Sequence, residues 1–171
     1  LPEEFRGKES PNQIKLLVQK QEFTQAIRTA DSLLHKKQSA ELLYVRANLY
    51  KITQRWSEAH QDYTKSLAMK ESFEVYLRRG IVNFEMTRYA EAKNDFNSAL
   101  HISPQSAQAV FMRAGANYNL KQFTEACDDW SLAARMGHSQ ADSLLETKCV
   151  GYIPQYVRNA QQSRQKHIDN I

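Results

Sequence analysis

Apolar positions in this chain recur at helical spacing. Three similar segments, WSEAHQDYTKSL, YAEAKNDFNSAL and FTEACDDWSLAA, start at Trp56, Tyr89 and Phe123. In each, an Ala is followed four residues later by an aromatic and three residues after that by a small side chain. The sets are Ala59, Tyr63, Ser66, then Ala92, Phe96, Ala99, then Ala126, Trp130, Ala133. Steps of four and three keep these residues on one face, so each segment is predicted to be a helix with an apolar stripe. Ser57 and Thr124 are the expected N-caps, and Glu58, Glu91 and Glu125 stand where a helix dipole favours negative charge. Upstream of each segment lies another helical stripe: Leu43, Ala47, Tyr50, then Tyr76, Gly80, Asn83, then Val110, Ala114, Asn117. The small residue in the middle, Ala47, Gly80 or Ala114, lets a neighbouring helix approach closely.

The pattern is periodic. The aromatic openers are 33 and 34 residues apart, and Phe23 precedes Trp56 by 33. A helix pair of this period, with a small residue in its first helix, Ala and an aromatic in its second, and a closing Pro such as Pro104, resembles the tetratricopeptide repeat. The resemblance covers most of the chain. Residues 40–72, 73–106 and 107–140 read as full repeats, and 11–39 as a divergent first one with a short first helix and Ala30 in the later aromatic slot. Residues 141–149 read as a capping helix, which a stack of repeats needs to cover its last apolar face. Gly151 and Pro154 then break the chain before a polar segment, 155–171, that is either a tail or a final helix. Asn83 and Asn117 depart from the family, which more often has a large residue there. The resemblance implies a single all-α domain over residues 1–171, a right-handed superhelix or α-solenoid of antiparallel helix pairs.

Polar residues keep the same period. Arg46, Arg79 and Arg113 precede the small residues, and Asp62, Asp95 and Asp129 precede the later aromatics. The matched frames predict an Arg–Asp ladder between helices, in preference to a basic stripe for an acidic ligand. If that ladder is exposed to solvent, replacing Asp95 by Asn costs far less than replacing Phe96 by Ala.

A second stripe runs beside the packing stripe of the first helices. It comprises Tyr44, Asn48 and Lys51, then Leu77, Ile81 and Phe84, then Phe111, Gly115 and Tyr118, each trio at i, i+4, i+7. In proteins of the resembled family this face lines the concave groove that holds peptides. The resemblance therefore makes Tyr44, Asn48, Lys51, Leu77, Arg78, Ile81, Phe84, Phe111 and Tyr118 candidate partner-binding residues. The groove reading expects Leu77, Ile81 and Phe111 to be partly exposed. The competing reading has some of these rings, Phe84 and Tyr118 above all, fill core left open by Asn83 and Asn117. One subset of the family grips chaperone tails with a clamp of Lys and Asn, then Asn, then Lys and Arg. That frame holds Tyr44, Asn48, Arg78, Gln108 and Met112 here, or Pro11, Lys15, Val45, Glu74 and Arg78 one repeat earlier. Neither makes a carboxylate clamp.

Composition narrows the chemistry. Over 171 residues, 23 Lys and Arg against 19 Asp and Glu, with both signs interspersed, describe a solvated surface and not a nucleic-acid footprint. The five His form no HExxH motif or ligand pair, and five Gly in total leave no phosphate-cradling loop. No metal, cofactor or catalytic residue is expected. No apolar run approaches a bilayer span, and the chain opens at Leu1 as a trimmed or processed form would. Cys127 and Cys149 lack CxxC spacing, so the redox compartment stays open. They are either buried free thiols or a disulfide tying the cap to the last repeat.

The expected function is non-catalytic: a protein–protein interaction module that holds a partner protein or peptide in its groove. The alternative is an architectural subunit of a larger assembly, including an envelope-associated one, packing by its ends or convex face. A regulatory domain of a larger enzyme is a third reading.

Overall fold

Each predicted pair forms as a helix, a tight turn and a helix, and the same turn recurs. In the computed structural model, residues 10–153 and Gln165 are described, so the tail or helix expected over 155–171 lies outside the described residues except at Gln165. The helices are α1 (Pro11–Gln19), α2 (Phe23–Lys36), α3 (Ala40–Ile52), α4 (Trp56–Met69), α5 (Phe73–Glu85), α6 (Tyr89–Ile102), α7 (Ala107–Asn119), α8 (Phe123–Arg135) and α9 (Ala141–Lys148). No strand occurs among the described residues.

The turns within pairs sit at Gln21, Gln54, Thr87 and Lys121, all in the left-handed region with φ of 57 to 64°. At the first full repeat, the Gln54 N–H donates to the Lys51 carbonyl and the Arg55 N–H to the Tyr50 carbonyl, closing the end of α3. Equivalent bonds close α1, α5 and α7. The chain then turns straight into the next helix, and α2, α4 and α8 start without a side-chain cap. Ser57 and Thr124 are therefore not N-caps: α4 starts at Trp56 and α8 at Phe123, which places both hydroxyls inside the first turn. Side-chain caps stand before first helices instead. Ser10, Ser39 and Ser106 Oγ accept from the N–H groups of Gln13, Leu42 and Ala109 at 3.4, 3.3 and 3.2 Å.

The chain divides at Ile102/Ser103 into two compact units. In the first, every helix from α1 to α6 packs on the next, and α3 also touches α5. Its core joins Ala26, Ala30, Ala47, Ala59 and Tyr63 to Leu49, Val75 and Val82. The last three belong to a buried row that the stripe pattern did not single out. Within this unit α3 lies between α2 and α4, and α5 between α4 and α6, so each buries two faces and not one. Ala59, Ala92 and Ala126 are fully buried. At Gly80, an added Cβ would come within 2.6 Å of the Phe96 ring, and Phe96 is itself fully buried.

The Arg–Asp pairs form in all three full repeats, with Arg46–Asp62 and Arg79–Asp95 at 2.6 Å and Arg113–Asp129 at 2.7 Å. They are not a surface ladder. The Asp62 and Asp95 side chains are 4% and 5% exposed, beneath arginine side chains at 18% and 20%. Asn83 and Asn117 complete the arrangement in the later two repeats by donating Nδ2–H to Asp95 and Asp129 at 2.9 and 3.1 Å. In the repeat that has Tyr50 at the equivalent place, Arg46 instead reaches back to Asp31 at 2.7 Å.

Unit 2 contains α7, α8 and α9. Its core is Ala114, Ala126, Trp130 and the cysteines, with Phe111, Tyr118, Leu144, Leu145 and Tyr152 packed against it. Cys127 and Cys149 are joined in a disulfide, with Cα atoms 5.8 Å apart.

Candidate functional site

The candidate residues divide between the units, and each set is distinct. In unit 1, α3 supplies Tyr44, Asn48 and Lys51, and α5 supplies Leu77, Arg78, Ile81 and Phe84. Because α4 runs antiparallel to both neighbours, α3 and α5 run alongside one another in the same sense, and the seven-residue step from Tyr44 to Lys51 spans about 10 Å. All these side chains are partly exposed except Leu77, which is 5% exposed. The expectation of a partly exposed Leu77 therefore fails. Besides packing on α4 and α6, α5 also touches α3 directly.

The strip has a polar anchor. Tyr63, fully buried on α4, donates its hydroxyl to Asn48 Oδ1 at 2.8 Å, and its ring lies 6.1 Å from that of Tyr44. Burial raises the Tyr63 pKa, the Tyr44 hydroxyl adds to the rise and Arg78 opposes it. Burial likewise lowers the Lys51 pKa, Arg78 lowers it further and Glu85 acts against them. Arg78 thus acts on Lys51 as a like charge and on Tyr63 as an opposing one.

At the N-terminal ends of α3 and α5, a cavity of about 300 Å³ opens between Ala40, Tyr44 and Val75, with Glu41, Lys70 and Glu74 at its margin. The Ser39 and Ser72 hydroxyls donate to Glu41 and Glu74 at 2.8 Å. Both carboxyls titrate below their ordinary range, chiefly through hydrogen bonds from their own backbone N–H groups and then through those serines. At the other end of α5, Phe84 meets Tyr89 edge to face at 5.2 Å, so part of its ring is occupied within its own pair.

In unit 2, Phe111 stacks on His138 at 3.9 Å, and Tyr118 packs against Phe123 at 5.3 Å and Trp130 at 5.5 Å. Lys148 Nζ from α9 lies 5.8 Å above the Tyr118 ring. Phe111 and Tyr118 keep partial exposure, yet both lean into the core that α9 covers. Sequence reasoning missed four participants: Tyr63, the cavity-lining Glu41 and Glu74, and His138. A Glu two residues after a Ser at a helix start was the available signal for the glutamates.

Among the described residues, no group of three His, Cys, Asp or Glu is placed to hold a metal, and no helix is long and apolar enough to cross a membrane.

No family model matches the chain. It is 24% identical over 106 residues to sperm-associated antigen 1 of Rattus norvegicus, covering 62% of this chain but 12% of that protein's length. Among solved structures it is similar to MamA residues 41 to the end from Desulfovibrio magneticus RS-1, with a TM-score of 0.71, 18% identity, and 74% and 72% of the two chains covered. It is also similar to YrrB, described as a TPR protein with an unusual peptide-binding site, with a TM-score of 0.70, 20% identity, and 79% and 74% covered. A third likeness is to the first TPR of Spaghetti (RPAP3) bound to the HSP90 peptide SRMEEVD, with a TM-score of 0.62, 23% identity, and 66% and 91% covered.

Proposed function

Since the chain has the tetratricopeptide-repeat fold, we propose that it is a non-catalytic interaction module that binds a segment of a partner protein along the α3–α5 face of unit 1. The observation that carries this reading is the combination on one strip of an apolar-walled cavity, the partly exposed Ile81, and two cationic side chains, Lys51 and Arg78. A buried tyrosine holds Asn48 in place between them. Apolar anchors with a few oriented polar groups are what peptide recognition requires. Lys70 lies 3.9 Å from Glu41, which leaves Glu74 at the cavity margin to favour a basic side chain of the partner there, and Lys51 with Arg78 favours an acidic one about 10 Å further along. The fold relatives include proteins described as peptide-bound or peptide-binding, which supports this class of function and names no partner.

The test starts from affinity capture with the full chain and identification of the captured partner by mass spectrometry. Ile81→Gln and Arg78→Glu are then paired, each with a melting curve and an affinity measurement. A central residue desolvated by the partner costs about 2 kcal/mol or more on replacement, roughly thirtyfold in affinity. Both variants are expected to fold normally and bind at least tenfold more weakly. Undiminished binding by two well-folded variants would move the interaction off this face. The architectural reading would then gain from Met69 and Ile102, which are exposed at matching positions in the last turns of α4 and α6.

A further inference from the structure

Unit 2 is closed by a helix too short to persist by itself. α9 has eight residues, below the length at which isolated helices are stable in water. Ala141 is buried, while Leu144 and Leu145 are only partly so. What α9 covers is aromatic: Phe111, Tyr118 and Trp130 share their cluster with Leu144, Leu145 and the two cysteines. Cys149 follows the last turn of α9 and Cys127 lies within α8, so the bond closes a stretch with a separation of 22 residues and fastens the far end of the cap. Both cysteines are buried, at 3% and 8% exposure, whereas the next residue, Val150, is 84% exposed.

We propose that the Cys127–Cys149 bond is a redox latch: oxidised, it holds α9 over the aromatic face of unit 2, and reduction by a dithiol releases the helix and uncovers Phe111, Tyr118 and Trp130. A thiolate of the dithiol attacks one sulfur and breaks the S–S bond, forming a mixed disulfide that its second thiol resolves. Two electrons and two protons pass to Cys127 and Cys149, which become thiols, and the dithiol leaves as a cyclic disulfide. Closing a loop of this size restricts the open chain by roughly a hundredfold or more in the opening equilibrium, so losing the bond shifts a marginal helix toward the released state. Because the sulfurs are buried, attack waits on opening of the cap, and the latch yields slowly. The inference concerns unit 2 and does not depend on the α3–α5 face binding a partner.

Hydrogen exchange on the full chain, with and without dithiothreitol, tests this. Reduction is expected to speed exchange of the α9 amides by about ten- to a hundredfold while α7 and α8 keep most of their protection. In a Trp56→Phe background, Trp130 emission is expected to shift to longer wavelength. The Cys127→Ala/Cys149→Ala chain should behave as the reduced protein does and ignore dithiothreitol. Equal α9 protection with and without the bond would overturn the latch, because packing alone would then hold the cap. Iodoacetamide labelling of both cysteines in the unreduced protein would overturn it as well. So would collapse of protection throughout α7 and α8, since the bond would then be a staple for the whole unit.

Discussion

Asp95 has a demanding place in the molecule. Its two oxygens accept from Arg79 Nε, Arg79 Nη2 and Asn83 Nδ2 at 2.6 to 3.2 Å, almost entirely out of water. Removing its charge leaves Arg79 with a neutral partner and turns one acceptor into a donor facing donors. Asp95→Asn is therefore expected to cost about 2–4 kcal/mol, in the range of about 3–5 for Phe96→Ala, as read by chemical denaturation. A loss below about 1 kcal/mol would mean that the guanidinium is satisfied by solvent. Thr87 makes the opposite case. It holds φ 58° at the α5–α6 turn, a conformation that its branched Cβ resists. Thr87→Gly is expected to raise stability by about 0.5–1 kcal/mol, visible as a higher melting temperature. An unchanged or lower one would show that the added freedom of glycine in the unfolded chain cancels the relief.

Helix starts follow two rules in this fold, and the rules assign different roles to similar hydroxyls. Three first helices, α1, α3 and α7, carry a serine side-chain cap, while Ser72 before α5 turns to Glu74 instead; second helices are entered from a left-handed turn whose own hydrogen bonds fix the chain direction. Ser106→Ala should cost about 1 kcal/mol, while Ser57→Ala should be nearly neutral; comparing their denaturation midpoints checks this. Equal losses would restore Ser57 as a cap. The same distinction explains why the helices themselves were legible in the sequence and their first residues were not. A stripe such as Ala59, Tyr63 and Ser66 states helix and face, but a cap depends on the φ of the residue before it. Packing of first helices on both sides was also hidden, because Val75 and Val82 look like ordinary alternates to Gly80 until α4 lies against them.

Across the whole molecule, each unit carries its own reporter, since Trp56 belongs to unit 1 and Trp130 to unit 2. Phe96→Ala is expected to lower the unfolding midpoint seen by Trp56 in a Trp130→Phe chain more than the midpoint seen by Trp130 in a Trp56→Phe chain. Equal shifts would mean that the two units unfold as one cooperative body. By itself the sequence determined the period, the helix pairs, the buried alanines and the pairing of each Arg with an Asp, because periodicity and matched frames are properties of the chain read in order. Only the tertiary structure decided how deep those pairs lie, that Asn83 and Asn117 serve them, that Leu77 is covered while Ile81 stays partly exposed, and that Cys127 meets Cys149. Each of these depends on which neighbouring helix excludes water from a given face, and on distances between residues far apart in the chain, quantities that no spacing along a single helix contains.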